Sequence, residues 1–150
     1  MKRGRFRPAV FVVVYKNNEN KIEYLLLKRK LHWKGWEFPK GGIEFFETKK
    51  HAVLREVKEE TNLKIIKIKK FNVKGKYVYN KKLKDRPNII GQKYFLYSAK
   101  VMEGNVKIDE REHFNFKWMN FKEAKNKLTW INQKQCLLEV NNYLKNEKNN

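Results

Sequence analysis

The sequence has little cysteine, little proline and few acidic residues. Its one cysteine, Cys136, excludes an internal disulfide, and no group of cysteines and histidines has the spacing of a zinc site. We therefore expect no disulfide partner and a reducing, cytoplasmic environment. No apolar run approaches the roughly 20 residues that a membrane-spanning helix needs, so we expect no membrane segment.

The shortage of acidic residues leaves a large positive charge. The chain has 36 lysines and arginines against 16 aspartates and glutamates, which gives a net charge of +20. Such a charge attracts polyphosphates, nucleic acid or an anionic membrane surface, and it raises encounter rates without choosing among them. Composition bias, or life at high temperature, where lysine is often enriched, explains the same charge without any partner. Both interpretations stay open.

The length and the hydrophobic content of 41% predict one domain over residues 1–150, in which 146–150 form a disordered tail. β-Branched apolar residues predict strands at Ala9–Tyr15 and Glu23–Arg29, joined by a turn, and an aromatic loop at Leu31–Lys40. This mixture of strands and helices predicts the α/β (α+β) class, with helices on a sheet. Further strands are predicted at Ile65–Val73, Tyr77–Tyr79, Ile89–Val101 and Phe114–Met119, and helices at Thr48–Thr61, Phe121–Leu128 and Asn132–Leu144.

Three glutamates of the first predicted helix share one face. Glu56, Glu59 and Glu60 stand at i, i+3 and i+4, so they repel one another unless a cation lies among them. Converging carboxylates suit a hard divalent cation such as Mg²⁺, which also binds water and phosphate oxygens. The alternative is an ordinary solvated acidic face, and the spacing alone favours the metal only modestly.

The residues around these glutamates form a long gapped motif. Gly41 is followed after five residues by Glu47, after seven more by Arg55–Glu56, and then by Val57, Glu59–Glu60 and Leu63. This pattern resembles the Nudix box, with one departure. Asn62 stands where the family has glycine, but Asn is the next-best residue for a left-handed position after a helix. The resemblance implies a Nudix fold, in which a mixed β-sheet lies between helices.

The resemblance also implies a metal-dependent hydrolase of nucleoside polyphosphates. Glu56, Glu59 and Glu60, together with the carbonyl group of Lys40, would hold Mg²⁺, with Mn²⁺ as a substitute. The metal would polarise a phosphate and help generate hydroxide from water. A general base is also needed, and the family takes it from the box or from a late loop. Glu59 therefore competes with Glu110 and Glu112 for that role.

The remaining positions of the box have supporting roles in the family. Gly41 and Gly42 would let the backbone approach the metal and the phosphates closely. Arg55 and Glu47 would pair and orient the glutamates, although Arg55 could also form a simple i,i+4 bridge to Glu59.

Features outside the box resemble the asymmetric diadenosine tetraphosphate hydrolases, or bis(5′-nucleosyl)-tetraphosphatases. This second resemblance implies cleavage of diadenosine tetraphosphate to ATP and AMP. Lys40 and Lys93 are then expected to contact phosphates, and Tyr79 and Trp130 to stack on adenine. The alternative for both aromatic residues is a place in the core or its rim. The similar segments are Trp36–Gly41, Lys93–Leu96, Glu112–His113, Phe116–Trp118 and Glu123–Ala124.

Two other functions remain as alternatives. An RNA 5′-pyrophosphohydrolase shares the tryptophan, the Phe-Pro pair and the glycine loop, and a basic surface would follow an RNA backbone. Against it, Lys40 replaces the glutamine that bacterial RNA-processing relatives often have there. A non-catalytic Nudix-fold protein that binds nucleotide or RNA is the third hypothesis, but such proteins usually lack box glutamates that this chain retains.

Overall fold

The computed structural model describes residues 4–79 and 81–148. These residues form one seven-stranded sheet and three helices. In chain order the elements are β1 Arg5–Asn18, β2 Lys21–Arg29, β3 Gly35–Glu37, β4 Lys40–Gly42, α1 Lys49–Thr61, β5 Ile65–Val78, β6 Ile89–Val101, β7 His113–Met119, α2 Phe121–Lys127 and α3 Ile131–Lys148. The neighbour order in the sheet is β3-β2-β1-β6-β5, while β4 pairs with β1 and β7 pairs with β2. The β1–β6 pair is parallel, and the β1–β4 pair is antiparallel.

Alternating side chains of the sheet build two cores, one on each face. Val10, Val12 and Val14 of β1 pack with Ala52 and Val57 of α1. The residues between them point the other way, because successive side chains of a strand alternate. Helices therefore cover both faces of a mixed sheet, which confirms the predicted fold class. The second core contains Phe11, Val13 and Tyr15 together with Ala124, Leu128, Cys136, Leu137, Val140 and Leu144 of the α2–α3 side.

Helix α1 begins and ends as the sequence predicts. The hydroxyl of Thr48 accepts a hydrogen bond of 3.1 Å from the backbone N–H of His51, which caps the first turn. Asn62 ends the helix in the left-handed conformation, at φ 60° and ψ 20°, and its N–H donates to the carbonyl of Lys58. Asn thus takes the backbone geometry for which the family uses glycine.

Three predicted boundaries were wrong. β5 is one strand from Ile65 to Val78, and Gly75 does not interrupt it, because its missing side chain leaves room for the Tyr94 ring on β6. The aromatic loop at Leu31–Lys40 contains β3 and leads directly into β4. The tail expected from Asn146 is the last turn of α3, which continues to Lys148; residues 149–150 lie outside the described part.

Helix α3 is tied to the sheet at two places. The hydroxyl of Tyr24 donates to Asn141 at 2.7 Å, and the backbone N–H of Phe38 donates to Gln133 at 2.9 Å. Cys136 lies buried between them. Within the described ranges, no helix combines the length and the apolar character needed to cross a membrane.

Candidate active site

Two glutamates of α1 are buried although both can carry a charge. Glu56 is 8% exposed and Glu60 is 1% exposed, because their positions at i and i+4 face strand β4. The backbone N–H of Lys40 donates to Glu60 Oε2 at 3.2 Å. A methyl group at Gly41 would overlap the Glu56 carboxylate, so only glycine permits this approach. The third predicted ligand, Glu59, lies at the exposed edge of the helix.

The two buried carboxylates lack enough positive charge to balance them. Burial raises the pKa of Glu56 to about 7, although Arg55 opposes the shift, and Glu59 and Glu112 add to it. Burial also raises the pKa of Glu60 well above its usual value, and repulsion from Glu56 acts in the same direction. Among the described residues, Glu60 Oε1 has no hydrogen-bond partner. Unbalanced carboxylate oxygens beside an open backbone fit a hard divalent cation.

Arg55 fixes the loop between β4 and α1. Its guanidinium forms two hydrogen bonds of 2.8 Å to Glu47, as the resemblance implied. It also donates to Glu56 at 2.7 Å and to the carbonyl of Gly42 at 2.9 Å. These bonds to Arg55 lower the pKa of Glu47 to about 2, although partial burial acts in the opposite direction. The i,i+4 contact with Glu59 is also present but longer, at 3.4 Å.

The late loop brings one of its two glutamates to this cluster. Carboxylate and imidazole atoms of Glu60, Glu112 and His113 lie within 4.8 Å of one another. The carbonyl of Glu112 accepts backbone hydrogen bonds from residues 30 and 31, at 2.9 and 3.3 Å, which hold the loop in place. Glu110 is exposed and lines a shallow depression that it shares with Glu59.

A second buried charge cluster lies behind the first, and the sequence analysis missed it. Glu37 accepts hydrogen bonds from Arg29 at 3.0 Å and from His113 at 2.7 Å. The ammonium group of Lys40 lies 3.4 Å from its other oxygen. Burial alone would raise the pKa of Glu37, but Lys40, His113 and Arg29 together lower it to about 2. The Trp36–Gly41 segment contained Glu37 without any signal of this role.

A cavity of about 500 Å³ is lined in part by Lys40, whose backbone contacts Glu60. Both predicted base-stacking residues, Tyr79 and Trp130, line it, as does the Lys40 side chain. Trp33 meets Trp130 edge to face at 5.1 Å, and Arg86 donates to the Tyr79 hydroxyl at 2.7 Å. Lys40 therefore joins the two regions, since its backbone contacts Glu60 and its ammonium group reaches the cavity.

Lys93 lies away from this cavity, on the opposite face of β6. Its neighbours Gln92 and Tyr94 point toward the cavity: Gln92 accepts a hydrogen bond of 2.6 Å from Tyr77, and Tyr94 lines the wall. Strand alternation then turns Lys93 to the α1 side, where its ammonium group lies 5.7 Å from the Phe95 ring centre. The structure therefore does not bring Lys93 together with Lys40.

Arg7 is a site residue that no sequence pattern indicated. Its guanidinium packs against Gly42, where a methyl group would overlap it. Burial, followed by repulsion from Arg86, lowers the pKa of Arg7, while Glu56 and Glu112 oppose that shift. Arg7 therefore lies within reach of both the cavity wall and the carboxylates. A lone arginine in a strand gives no signal of this position, because it depends on the pairing of β1 with β4.

Comparison with known proteins identifies the family. The NUDIX domain model matches residues 5–140, so the chain belongs to the Nudix family. An RNA pyrophosphohydrolase of a Nitratiruptor species is 32% identical, with 98% of both chains covered. One from a Marinomonas species is 31% identical and covers 77% of this chain and 76% of its own length.

Solved structures agree with this assignment. A C. elegans Ap4A hydrolase is 26% identical, with a TM-score of 0.71 and coverage of 93% of this chain and 98% of that one. A Nudix hydrolase from Listeria monocytogenes has a TM-score of 0.77 at 22% identity, over 95% and 96% of the two chains. The protein is thus a Nudix hydrolase that acts on phosphoanhydride bonds of nucleoside polyphosphates.

Proposed function

We propose that the chain removes pyrophosphate from the 5′ end of triphosphorylated RNA in a Mg²⁺-dependent reaction. Glu56 and Glu60 would hold the metal with the carbonyl of Lys40, and Glu59 would complete the set from the rim; Mn²⁺ would substitute. The unbalanced burial of Glu56 and Glu60 is the observation that carries the metal site. Bound Mg²⁺ would polarise the phosphate and lower the pKa of a bound water.

Cationic side chains would bind the phosphate chain between the carboxylates and the cavity. Lys40 reaches both regions, and Arg7 packs against Gly42 and is near enough to Arg86 for the two charges to repel. Lysine acts as a mobile point charge, whereas arginine offers a planar fork that matches phosphate oxygens. The glycine backbone beside Glu56 leaves room for a phosphate to approach the metal ligands.

The cavity would hold the first nucleobase. Tyr79 offers a ring that Arg86 fixes by a hydrogen bond to its hydroxyl, and Trp130 offers a second ring at the rim. A base stacked on one aromatic side chain gains about 1–3 kcal/mol. The volume of about 500 Å³ is sufficient for one base with its ribose.

Glu112 is our first choice for the general base. Its carboxylate shares a cluster with Glu60, close to the proposed metal, while a backbone anchor at residues 30 and 31 holds its loop. Glu59 is the second choice. It lies half exposed at the rim of the site, and its contact with Arg55 is long, at 3.4 Å. Glu110 lines an open depression away from Glu60 and is the weakest of the three.

Two observations favour RNA as the substrate. A relative that is similar over 98% of this chain carries the name RNA pyrophosphohydrolase, as does one that is similar over 77% of it. The net charge of +20 also exceeds the charge of a small polyphosphate. A longer polyanion such as RNA offers more phosphates for these cationic side chains to contact. Because the only cysteine, Cys136, is buried and unpaired, we also propose a cytoplasmic location.

Diadenosine tetraphosphate is the second candidate substrate, and it is the one that the sequence motifs favour. Similarity to the C. elegans Ap4A hydrolase supports it, as does the cavity lined by Tyr79 and Trp130. Water would attack one phosphorus and release ATP and AMP.

One product analysis separates these functions. Purified protein and Mg²⁺ are incubated with triphosphorylated RNA, diadenosine tetraphosphate or a nucleoside triphosphate, with EDTA as control. Pyrophosphate and monophosphorylated RNA support our proposal, whereas ATP plus AMP with no RNA product supports the second candidate. No product from any substrate would refute both and support a binding role.

A further inference from the structure

Two adjacent aromatic side chains project into solvent beside the active site. Phe45 is 87% exposed and Phe46 is 95% exposed, and their ring centres lie 4.1 Å apart. They belong to the loop that Arg55 and Glu47 hold next to the carboxylates. Because both rings are exposed, the fold does not gain the free energy that burial of a phenylalanine side chain usually provides. The stability of the fold therefore does not explain why two phenylalanines stand at these positions.

The backbone of Phe46 adds a second cost. Its φ is 66°, in the left-handed region that non-glycine residues rarely adopt. Bulky residues held there store strain, and such strain concentrates at binding and switch regions. A residue that is both strained and exposed points to a contact outside the fold.

A lysine-rich patch lies beside this loop on the α1 face of the sheet. The ammonium group of Lys49 lies 3.9 Å from the Phe95 ring centre, and that of Lys76 lies 5.0 Å from the Phe6 ring centre. Lys76 and Lys93 are partners in the β5–β6 register. In the described part of the chain, none of these lysines has a carboxylate within salt-bridge distance, although Lys67 and Lys117 elsewhere on the surface do.

The loop and the patch are continuous. The backbone N–H of Ile43 donates to the carbonyl of Pro8 at 2.9 Å, and Pro8 pairs with Lys93 in the sheet. The loop ends where α1 begins, at Lys49. Phe45 and Phe46 therefore lie on a segment that starts beside one lysine of the patch and ends at another.

We propose that this aromatic and basic patch binds single-stranded RNA downstream of the 5′ nucleotide held in the active site. Exposed rings stack on bases of any sequence, and unpaired lysines bind the backbone phosphates. Charge complementarity selects this partner, since an apolar peptide would gain nothing from the lysines. The inference rests on the proposed function, because it extends the same RNA substrate beyond its first nucleotide.

The test uses Phe45→Ala combined with Phe46→Gly. Glycine suits the left-handed backbone, so the double variant should fold at least as well as the wild type. We expect the KM for a triphosphorylated 20-nucleotide RNA to rise roughly tenfold, with kcat and hydrolysis of a nucleoside triphosphate unchanged. Equal KM values for the RNA would overturn the inference, and so would an equal loss on the triphosphate.

A second variant tests the lysines through salt dependence. Lys49→Gln, Lys93→Gln and Lys74→Gln together should reduce the slope of log affinity against log salt by about two for 5′-hydroxyl RNA. Lys74 shares the α1 face of the sheet, where it pairs with Phe95, and Lys76 is left unchanged because it also lines the cavity. The matched control changes three exposed lysines on or next to α2, Lys122, Lys125 and Lys127, and should leave the slope unchanged. Equal slopes in both triple variants would overturn the inference.

Two further outcomes separate failure of the patch inference from failure of the proposed function. If wild-type protein releases no pyrophosphate from RNA, the proposed function fails and the patch loses its substrate. If it does so but the patch variants match the wild type, only the patch inference fails. Binding to phosphatidylserine vesicles that the variants lose, with RNA binding intact, would assign the patch to a membrane surface and overturn the RNA assignment.

Discussion

Two buried glutamates contact Lys40 from different sides, and their pKa values shift in opposite directions. Glu37 and Glu60 are both fully buried, and Lys40 touches one with its ammonium group and the other with its backbone N–H. Glu37 also contacts Arg29 and His113, and its pKa falls to about 2. The pKa of Glu60 rises instead.

The difference lies in the neighbouring charges rather than in burial. The surroundings of Glu37 are cationic, so its carboxylate stays ionised and holds the strands together. The surroundings of Glu60 are carboxylates, Glu56 and Glu112; among the described residues Arg55 pairs with Glu56, and no lysine or arginine forms a salt bridge with Glu60. Buried charge without a partner is costly, and proteins retain it where a metal or substrate completes the balance.

Glu60→Gln should have the largest effect. The substitution keeps the volume but removes a ligand charge, so we expect kcat/KM to fall about 1,000-fold, or roughly 4 kcal/mol of transition-state stabilisation. The metal-free variant should be as stable as the wild type or more stable, because an unbalanced carboxylate is removed. Steady-state kinetics and urea denaturation with EDTA measure the two effects. Retained activity in Glu60→Gln, with the exposed Glu139→Gln as control, would contradict the contrast.

The choice of general base should produce the next effect. Loss of a general base costs about 100-fold or more in rate, so we expect Glu112→Gln to lose about that much. Glu59→Gln should lose less than about tenfold, because Glu59 lies at the exposed rim. Single-turnover rates at saturating Mg²⁺ separate the chemical step from metal affinity. A large loss in Glu59→Gln with activity retained in Glu112→Gln would place the base on α1.

The sequence predicted the parts of this site that depend on local geometry. The spacing of Glu56 and Glu60 places them on one helix face, and Thr48 and Asn62 mark the ends of α1 through capping and backbone preference. Each of these signals acts within about four residues, so the order of residues is sufficient to show it.

The remaining site residues depend on pairing between distant segments. Glu37 meets His113 across 76 residues, and Arg7 meets Gly42 only because β4 pairs with β1. The residue types alone did not show which face of β6 carries Lys93, since that follows from the register with neighbouring strands. Sequence reasoning therefore predicted the local cluster of Glu56 and Glu60, and it missed Glu37 and Arg7, which only strand pairing brings to the site.

Glu37→Gln should mainly lower the stability of the fold, because Glu37 is not one of the proposed metal ligands. The neutral amide leaves the buried Arg29 without its carboxylate, and such a break costs about 3 kcal/mol. Glu147→Gln, which breaks the exposed pair with Lys67, should cost far less, because solvent screens an exposed ion pair. Urea denaturation compares the two variants. Equal losses in the free energy of unfolding would show that burial does not make the Arg29–Glu37 pair more important for stability than an exposed pair.

The pH dependence sharpens the same prediction. The folded-state pKa of Glu37 lies below its ordinary value of 4.5, at about 2. Its contribution is therefore complete above about pH 5 and is lost as the pH falls toward 2. The stability difference between wild type and Glu37→Gln should shrink over that range.

Magnesium should give the smallest effect, and its pH dependence has the opposite sign to that of Glu37. The folded-state pKa of Glu56 is raised from 4.5 to about 7, so the metal-free protein loses stability as the pH rises from 4.5 through 7. Mg²⁺ binds the ionised carboxylates and offsets this loss. At 100 times its Kd it should add about 2.7 kcal/mol, or roughly 5–10 °C in Tm, and more at pH 8 than at pH 6. Thermal unfolding of the wild type and Glu60→Gln, each with Mg²⁺ or EDTA, measures this. An equal Mg²⁺ shift in both proteins would mean that the ion binds elsewhere, and the unbalanced carboxylates would then need another explanation.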